Sequence, residues 1–161
     1  MKPFVKWAGG KRQILKRINE FIDDSVEPGS SFTYLEPFIG GGAVFFDKRP
    51  KKAIINDLNE DLINAYRVIQ SDQYEELIRL LDVHAENYRE DPDDYYYEVR
   101  AWDRDPARWP NGYTNVQRAA RMIFLNRTCY NGLYRVNSRG EFNTPIGRYH
   151  NPLICDRENL E

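Results

Sequence analysis

YLEPFIGGGAVFF, residues 34–46, carries the pattern that decides the fold. Phe32, Tyr34 and Leu35 make a short apolar strand, which runs through Glu36, Pro37, Phe38 and Ile39 into Gly40, Gly41 and Gly42. Ala43, Val44, Phe45 and Phe46 then read as the start of a buried helix. Strand, glycine loop and helix in that order open an α/β sheet. Downstream, Ala53, Ile54 and Ile55 give a second strand ending in Asn56 and Asp57, followed by a helix with Leu58, Leu62, Ala65 and Ile69 on one face. Upstream, Ile14, Ile18 and Phe21 recur at helical spacing from Lys11 to Phe21, until Pro28, Gly29 and Ser30 break the pattern. The expected fold class is α/β, with a sheet that two strands leave incomplete.

Beyond Ser71 the strand signal stops. Tyr74, Leu77, Leu81 and Tyr88 predict one helix, Tyr95 to Trp102 a second and Val116 to Arg127 a third, so a helical lobe follows the sheet unit. Leu133 to Val136 and Glu141 to Asn143 flank Asn137, Ser138, Arg139 and Gly140, the composition of a β-hairpin turn. The expected organisation is a sheet part over 1–70, a helical lobe with hairpin over 71–150, and a return to the sheet part over 151–161.

Charge divides the lobe. Between Asp82 and Asp105 the acids Asp82, Glu86, Glu90, Asp91, Asp93, Asp94, Glu98, Asp103 and Asp105 face only Arg89, Arg100 and Arg104. With Pro92, Pro106 and Pro110, this stretch reads as a linker or solvated surface that a phosphate backbone would repel. From Val116 to His150 the sign reverses, with Arg118, Arg121, Arg127, Arg135, Arg139 and Arg148 against Glu141. A net charge of -2 over 161 residues therefore conceals a basic stretch. No apolar run approaches the roughly 18 residues of a membrane span, and Met1 to Lys11 has no signal-peptide core, which makes the cytoplasm the default compartment. Cys129 and Cys155 suggest neither a disulfide framework nor a metal site.

Three pieces carry chemistry. The glycines let backbone approach a ligand closely, and Asp57 stands about 20 residues on, where such folds bond a ribose. A plain tight turn and a helix cap at Asp57 are the structural alternatives. Phe4 to Lys11 holds a Gly-Gly-Lys, but Val5 and Arg12 stand where a P-loop needs Gly and Ser or Thr. What remains is an aromatic, Trp7, that could stack on adenine and a cation, Lys11, that could pair with a carboxylate, against Trp7 as core and Lys11 as solvated. The third piece, Asn126 to Arg135 with Gly140 to Tyr149, interleaves Arg, Asn and Tyr as a base-reading surface does, or as a hairpin with aromatic cross-strand pairs does.

FVKWAGGK, YLEPFIGGGAVFF, IINDLNEDLINAY and NRTCYNGLYRVNSRGEFNTPIGRY, in this order over nearly the whole chain, resemble the Dam-like, adenine-specific DNA methyltransferases. The resemblance implies a Rossmann-like, S-adenosylmethionine-dependent sheet with an inserted DNA-recognition lobe. It implies that Trp7, Lys11 and Asp57 contact S-adenosylmethionine, with Glu36, Phe38, Gly40 and Gly42 shaping its loop. By the same resemblance Tyr130, Asn131, Leu133, Arg135 and Pro145 enter double-stranded DNA around a GATC-like site, Arg127 and Arg139 contact phosphates, and the target adenine is flipped out. Such enzymes would serve restriction-modification or mismatch repair.

The departure is the Asp-Pro-Pro-Tyr-type tetrapeptide on which the family's methyl transfer depends. Asp91-Pro92-Asp93-Asp94, Asp105-Pro106-Ala107-Arg108 and Asn151-Pro152-Leu153-Ile154 lack its second proline and aromatic and read as turns. No catalytic residue is therefore assigned in this chain, and its partner would be a C-terminal half or a longer form carrying the motif. The competing reading is a catalytically silent DNA- or cofactor-binding fragment. An RNA or small-molecule methyltransferase would leave the arginine-rich hairpin unexplained.

Overall fold

The computed structural model describes residues 2–27, 29–105 and 112–161. The expectations resting on Pro28, Pro106, Ala107, Arg108 and Pro110 lie outside the described residues. A 3₁₀ turn (Lys11–Ile14) and helix α1 (Leu15–Ser25) precede strand β1 (Tyr34–Glu36), α2 (Ala43–Lys48), β2 (Ala53–Ile55) and α3 (Glu60–Ile69). The strand, loop, helix, strand, helix order matches the sequence pattern. Among the described residues the sheet has two strands, parallel, with Leu35 opposite Ile54. Leu58, expected on the apolar face of the helix after β2, precedes α3 and is exposed. Asn59 instead caps α3 by accepting the Leu62 N–H at 2.8 Å, so the helix begins after Leu58.

The core lies among α3, α4 (Tyr74–Glu90), α5 (Pro92–Arg100) and α6 (Asn115–Thr128). Helix α6 is buried along most of its length: Val116, Ala119, Ala120, Met122, Ile123, Phe124 and Leu125 are buried together with Arg121, Asn126 and Thr128, as befits a central helix whose polar groups are paired. Its start is set by a capping box in which Thr114 and Gln117 satisfy each other's backbone N–H groups. Phe124 collects rings from its neighbours, with His84 stacked at 4.8 Å and Tyr88 and Tyr95 edge-on at 5.7 and 5.6 Å.

Two expectations are corrected here. Pro92 opens α5 rather than a linker, because a proline at the first helical turn sacrifices no helical hydrogen bond, and Asp91 caps the helix through the Asp94 N–H. Tyr96 and Val99 of α5 are fully buried, and Trp102 falls in a 3₁₀ turn (Ala101–Arg104) beyond it. The hairpin, in turn, is not two regular strands. Its arms meet in isolated antiparallel bridges, Val136 with Phe142 and Cys129 with Ile146. α5 and its extension hold the outer edge of one arm: the Tyr96 hydroxyl donates to Thr144 O at 2.9 Å, Arg104 donates to Phe142 O, and Asp103 accepts the Phe142 N–H at 2.8 Å. Across the hairpin the arms still pair, the Asn143 N–H donating to Arg135 O and the Asn137 N–H to Glu141 O, each at 2.9 Å. Among the described residues no helix is long and apolar enough to cross a membrane.

Candidate functional site

The parallel pair sets the first half of the site. At its end the Ile39 N–H donates to Asn56 O at 2.8 Å, tying the two strand ends together. The chain then turns through Gly40 (φ 51°) and Gly42 (φ 74°), both left-handed, which only glycine adopts without strain. A Cβ on Gly40 would stand 2.8 Å from Trp7 Cδ1, so the missing side chain is what lets the indole lie on the loop. Asp57 grips the loop from below: Oδ2 accepts the Gly40 N–H at 2.9 Å and Oδ1 the Asn59 N–H at 3.0 Å. The helix cap is Asn59, so the cap alternative for Asp57 falls. Lys11 Nζ donates to Phe38 O at 2.6 Å and pairs with Glu36 Oε1 at 2.9 Å. Glu36 is buried behind the loop, its Oε2 accepting the Tyr34 hydroxyl at 2.6 Å. The Tyr66 hydroxyl donates to Gly40 O at 3.1 Å. Burial, with the charges of Glu36 and Asp57, pushes its pKa up and keeps it a donor.

Trp7, Lys11, Phe38, Gly40, Gly42 and Asp57 all line one cleft of about 900 Å³, within the roughly 300–1,000 Å³ of small-molecule sites. Phe38, 63% exposed, stands at its lip. On its far side Asp57 borders a polar hollow of about 440 Å³ walled by Asn56, Glu60, Arg67 and Arg118.

The second half of the site is the loop after α6. Tyr130, Asn131, Leu133, Arg135, Arg139 and Pro145 are all exposed, on a backbone held from beneath. Asn131 is left-handed at φ 54°, the Tyr130 N–H donates to Pro145 O at 2.9 Å, and the Gly147 N–H donates to Thr128 O at 2.8 Å. At the tip, Asn137 Oδ1 accepts the N–H groups of Arg139 and Glu141 at 2.9 and 3.0 Å, an Asx turn closed by Gly140 at φ 80°. Arg135 Nε donates to Asn143 Oδ1 at 2.8 Å, which splays its guanidinium along the loop. Arg127 differs from these residues: it is half-buried, ion-paired to Asp156 at 3.3 Å, and lines the cleft.

Residues that the sequence motifs contain but that received no individual role join the halves. Tyr134 stacks on Trp7 with ring centroids 5.7 Å apart and donates its hydroxyl to Asp61 at 2.9 Å, where Arg118 also binds at 2.7 Å. Lys6 Nζ lies 4.1 Å over the Tyr149 ring. Asn126, 1% exposed, bonds the backbone of both Lys6 and Gly132. In the sequence it is the amide that directly follows the apolar run Met122–Leu125 and opens the Asn-, Arg- and Tyr-rich stretch. Cys129 is fully buried and its thiol is pushed up to about 11 by burial, which leaves no thiolate for nucleophilic attack near neutral pH.

Residues 7–161 match the model of the D12 class N6 adenine-specific DNA methyltransferase. A Type II methyltransferase of Methanocaldococcus jannaschii is 48% identical over 168 residues, covering all of this chain and 57% of that protein. One from Lactococcus lactis subsp. cremoris is 46% identical over 161 residues, covering all of this chain and 53% of its own. The DNA adenine methylase of Escherichia coli (strain K12) is 36% identical over 162 residues, covering 98% of this chain and 51% of its own. The chain thus spans about half the length of these relatives.

Proposed function

The chain belongs to the D12 class N6 adenine-specific DNA methyltransferase family, and we propose that it supplies the cofactor cleft and the DNA-reading loop of an enzyme that methylates the adenine 6-amino group in a GATC-like duplex site after flipping the base. The observation that carries the reading is the shared wall: Trp7 closes the glycine-lined cleft on one face and stacks on Tyr134, in the middle of the exposed arginine-bearing loop, on the other.

The residues present fit S-adenosylmethionine. The cleft offers a cation, an acidic residue at a strand end, two aromatics and a glycine backbone that a Cβ at Gly40 would obstruct. When bound, that cofactor would supply the sulfonium methyl group. Lys11 would hold the amino-acid carboxylate, exchanging part of its pairing with Glu36 for it. Asp57 has one backbone donor on each oxygen and retains lone pairs for two ribose hydroxyls. Trp7 and Phe38 would flank the adenine ring and exclude water.

On the duplex, Arg135 and Asn131 carry the fork and amide geometries that read guanine and adenine edges, Tyr130 and Leu133 are wedges that fill the space of a flipped base, and Arg139 contacts phosphate, with Pro145 shaping the approach. Arg127 would reach a phosphate only by leaving Asp156. The group that orients the adenine lone pair is assigned to polypeptide carrying an Asp-Pro-Pro-Tyr-type motif, which this chain lacks. The test is to measure S-adenosylmethionine binding, duplex binding and labelled methyl transfer on one sample of the 161-residue chain. Binding of both ligands without transfer is expected. Failure to bind either ligand refutes the reading, and transfer by the chain alone refutes the need for a further motif.

A further inference from the structure

We infer that Asn126 is a positioning residue that couples the two halves of the site, so that a ligand in the cleft and a duplex on the loop tighten each other's binding; the inference rests on the functional reading above. An amide at 1% exposure within a helix of buried apolar residues is unfavourable unless its groups are paired. Those of Asn126 are paired across the fold. Oδ1 accepts the Lys6 N–H at 2.8 Å, and Nδ2 donates to Lys6 O at 2.8 Å and to Gly132 O at 3.0 Å.

One side chain therefore grips the backbone of the segment whose next residue is Trp7, 120 residues away in the chain, and the backbone of the turn between Tyr130 and Leu133. The two segments also touch directly. Gly132 is left-handed at φ 65°, and a Cβ there would stand 2.5 Å from Lys6 Cβ, so the turn cannot shift toward Lys6 without displacing it. The side-chain contacts, Trp7 on Tyr134 and Lys6 over Tyr149, run parallel to this clamp. A ligand ordering either segment orders the other through Asn126, and the second ligand meets a strap already in place. Linkage then requires the same factor in both directions.

The experiment uses the 161-residue chain with S-adenosylmethionine and a GATC duplex as probes. Calorimetry gives the affinity for each probe with and without saturating amounts of the other. The wild type should show a reciprocal tightening of at least about fivefold, the lower end of ordinary coupling. Asn126→Ala should reduce the factor below about twofold. Asn64→Ala, which also removes a buried amide but one bonded to Asn115 O, should keep it. Amide exchange in the wild type gives an independent readout, since duplex alone should slow exchange at Lys6 and Trp7. Equal affinities in the presence and absence of the second probe, or a factor that survives Asn126→Ala, overturns the inference while leaving the functional reading intact. Should Asn126→Ala not fold, an unslowed Lys6 amide overturns it. A wild type that binds neither probe removes the functional reading itself.

Discussion

Replacing Gly40 by alanine tests the geometry on which the cleft depends. At φ 51° an L-residue sits in the left-handed region, which costs about 1–2 kcal/mol. The new Cβ would lie 2.8 Å from Trp7 Cδ1, whereas ordinary contact begins at 3.4 Å, so the indole must withdraw. Withdrawal weakens its stack on Tyr134, worth about 0.5–1.5 kcal/mol. Together these give a loss of about 2–3 kcal/mol, or roughly 5–10 °C in Tm for a domain of this size. The assay is urea and thermal unfolding of the ligand-free chain, run as a double-mutant cycle with Trp7→Ala. With the indole gone only the backbone strain remains, so Gly40→Ala should then cost about 1–2 kcal/mol. An equal cost in both backgrounds would show that Trp7 does not lie on Gly40, and no cost in either would show that the loop is not left-handed there.

Acid should weaken the fold through His84, which is 3% exposed and held down to about 4 by burial. The unfolded chain takes up this proton below about pH 6.5 while the folded chain does not, so stability falls as pH drops from 6.5 toward 4, by up to about 3 kcal/mol. A urea midpoint unchanged between pH 7 and 5 would contradict this. Arg121→Met should cost about 3–5 kcal/mol, because the buried guanidinium caps the end of α5 through Val99 O and Arg100 O and its loss takes from Asp103 its closest cation, leaving it the Phe142 N–H and the more distant Arg104; a cost below 1 kcal/mol in urea unfolding would remove it from the core network. Tyr134→Phe should cost about 1 kcal/mol through the lost Asp61 bond while the Trp7 fluorescence spectrum stays unchanged, since the stack is kept. Arg135→Ala should relax discrimination between a GATC duplex and a scrambled one by roughly 1–3 kcal/mol in competition binding. Unchanged discrimination would transfer base reading to other residues of the loop.

The cleft was legible in the sequence because its makers are local. Gly40 and Gly42 mark left-handed positions, the apolar residues around them mark strand and helix, and Asp57 stands at the end of the next strand, so the pattern itself places them together. Trp7 and Lys11 could be read from their own residue types as a stacking ring and a carboxylate partner, but only as one of two alternatives, since nothing in their own neighbourhood says which surface they will cover. The acidic stretch is solvated at Glu86, Glu90, Asp91, Asp93, Asp94, Glu98 and Asp105, as its charge suggested, but it is no linker: Asp103 is spent on Arg121 and the Phe142 N–H, and Tyr96 and Val99 on the core.

Arg127 and Arg135 look alike in the sequence and diverge in the fold, one ion-paired to Asp156 at the cleft wall and the other exposed on the loop. The sequence alone determined the strand, glycine loop and helix order, because backbone sterics at glycine and the periodicity of apolar residues act within a few positions. Only the tertiary structure decided that the outer edge of a hairpin arm bonds to α5 and its extension, and that Asn126 holds Lys6 to Gly132. Those partners lie 6 to 120 residues apart, and the choice among many equivalent donors and acceptors is made by whichever pairing leaves none of them stranded in a packed interior.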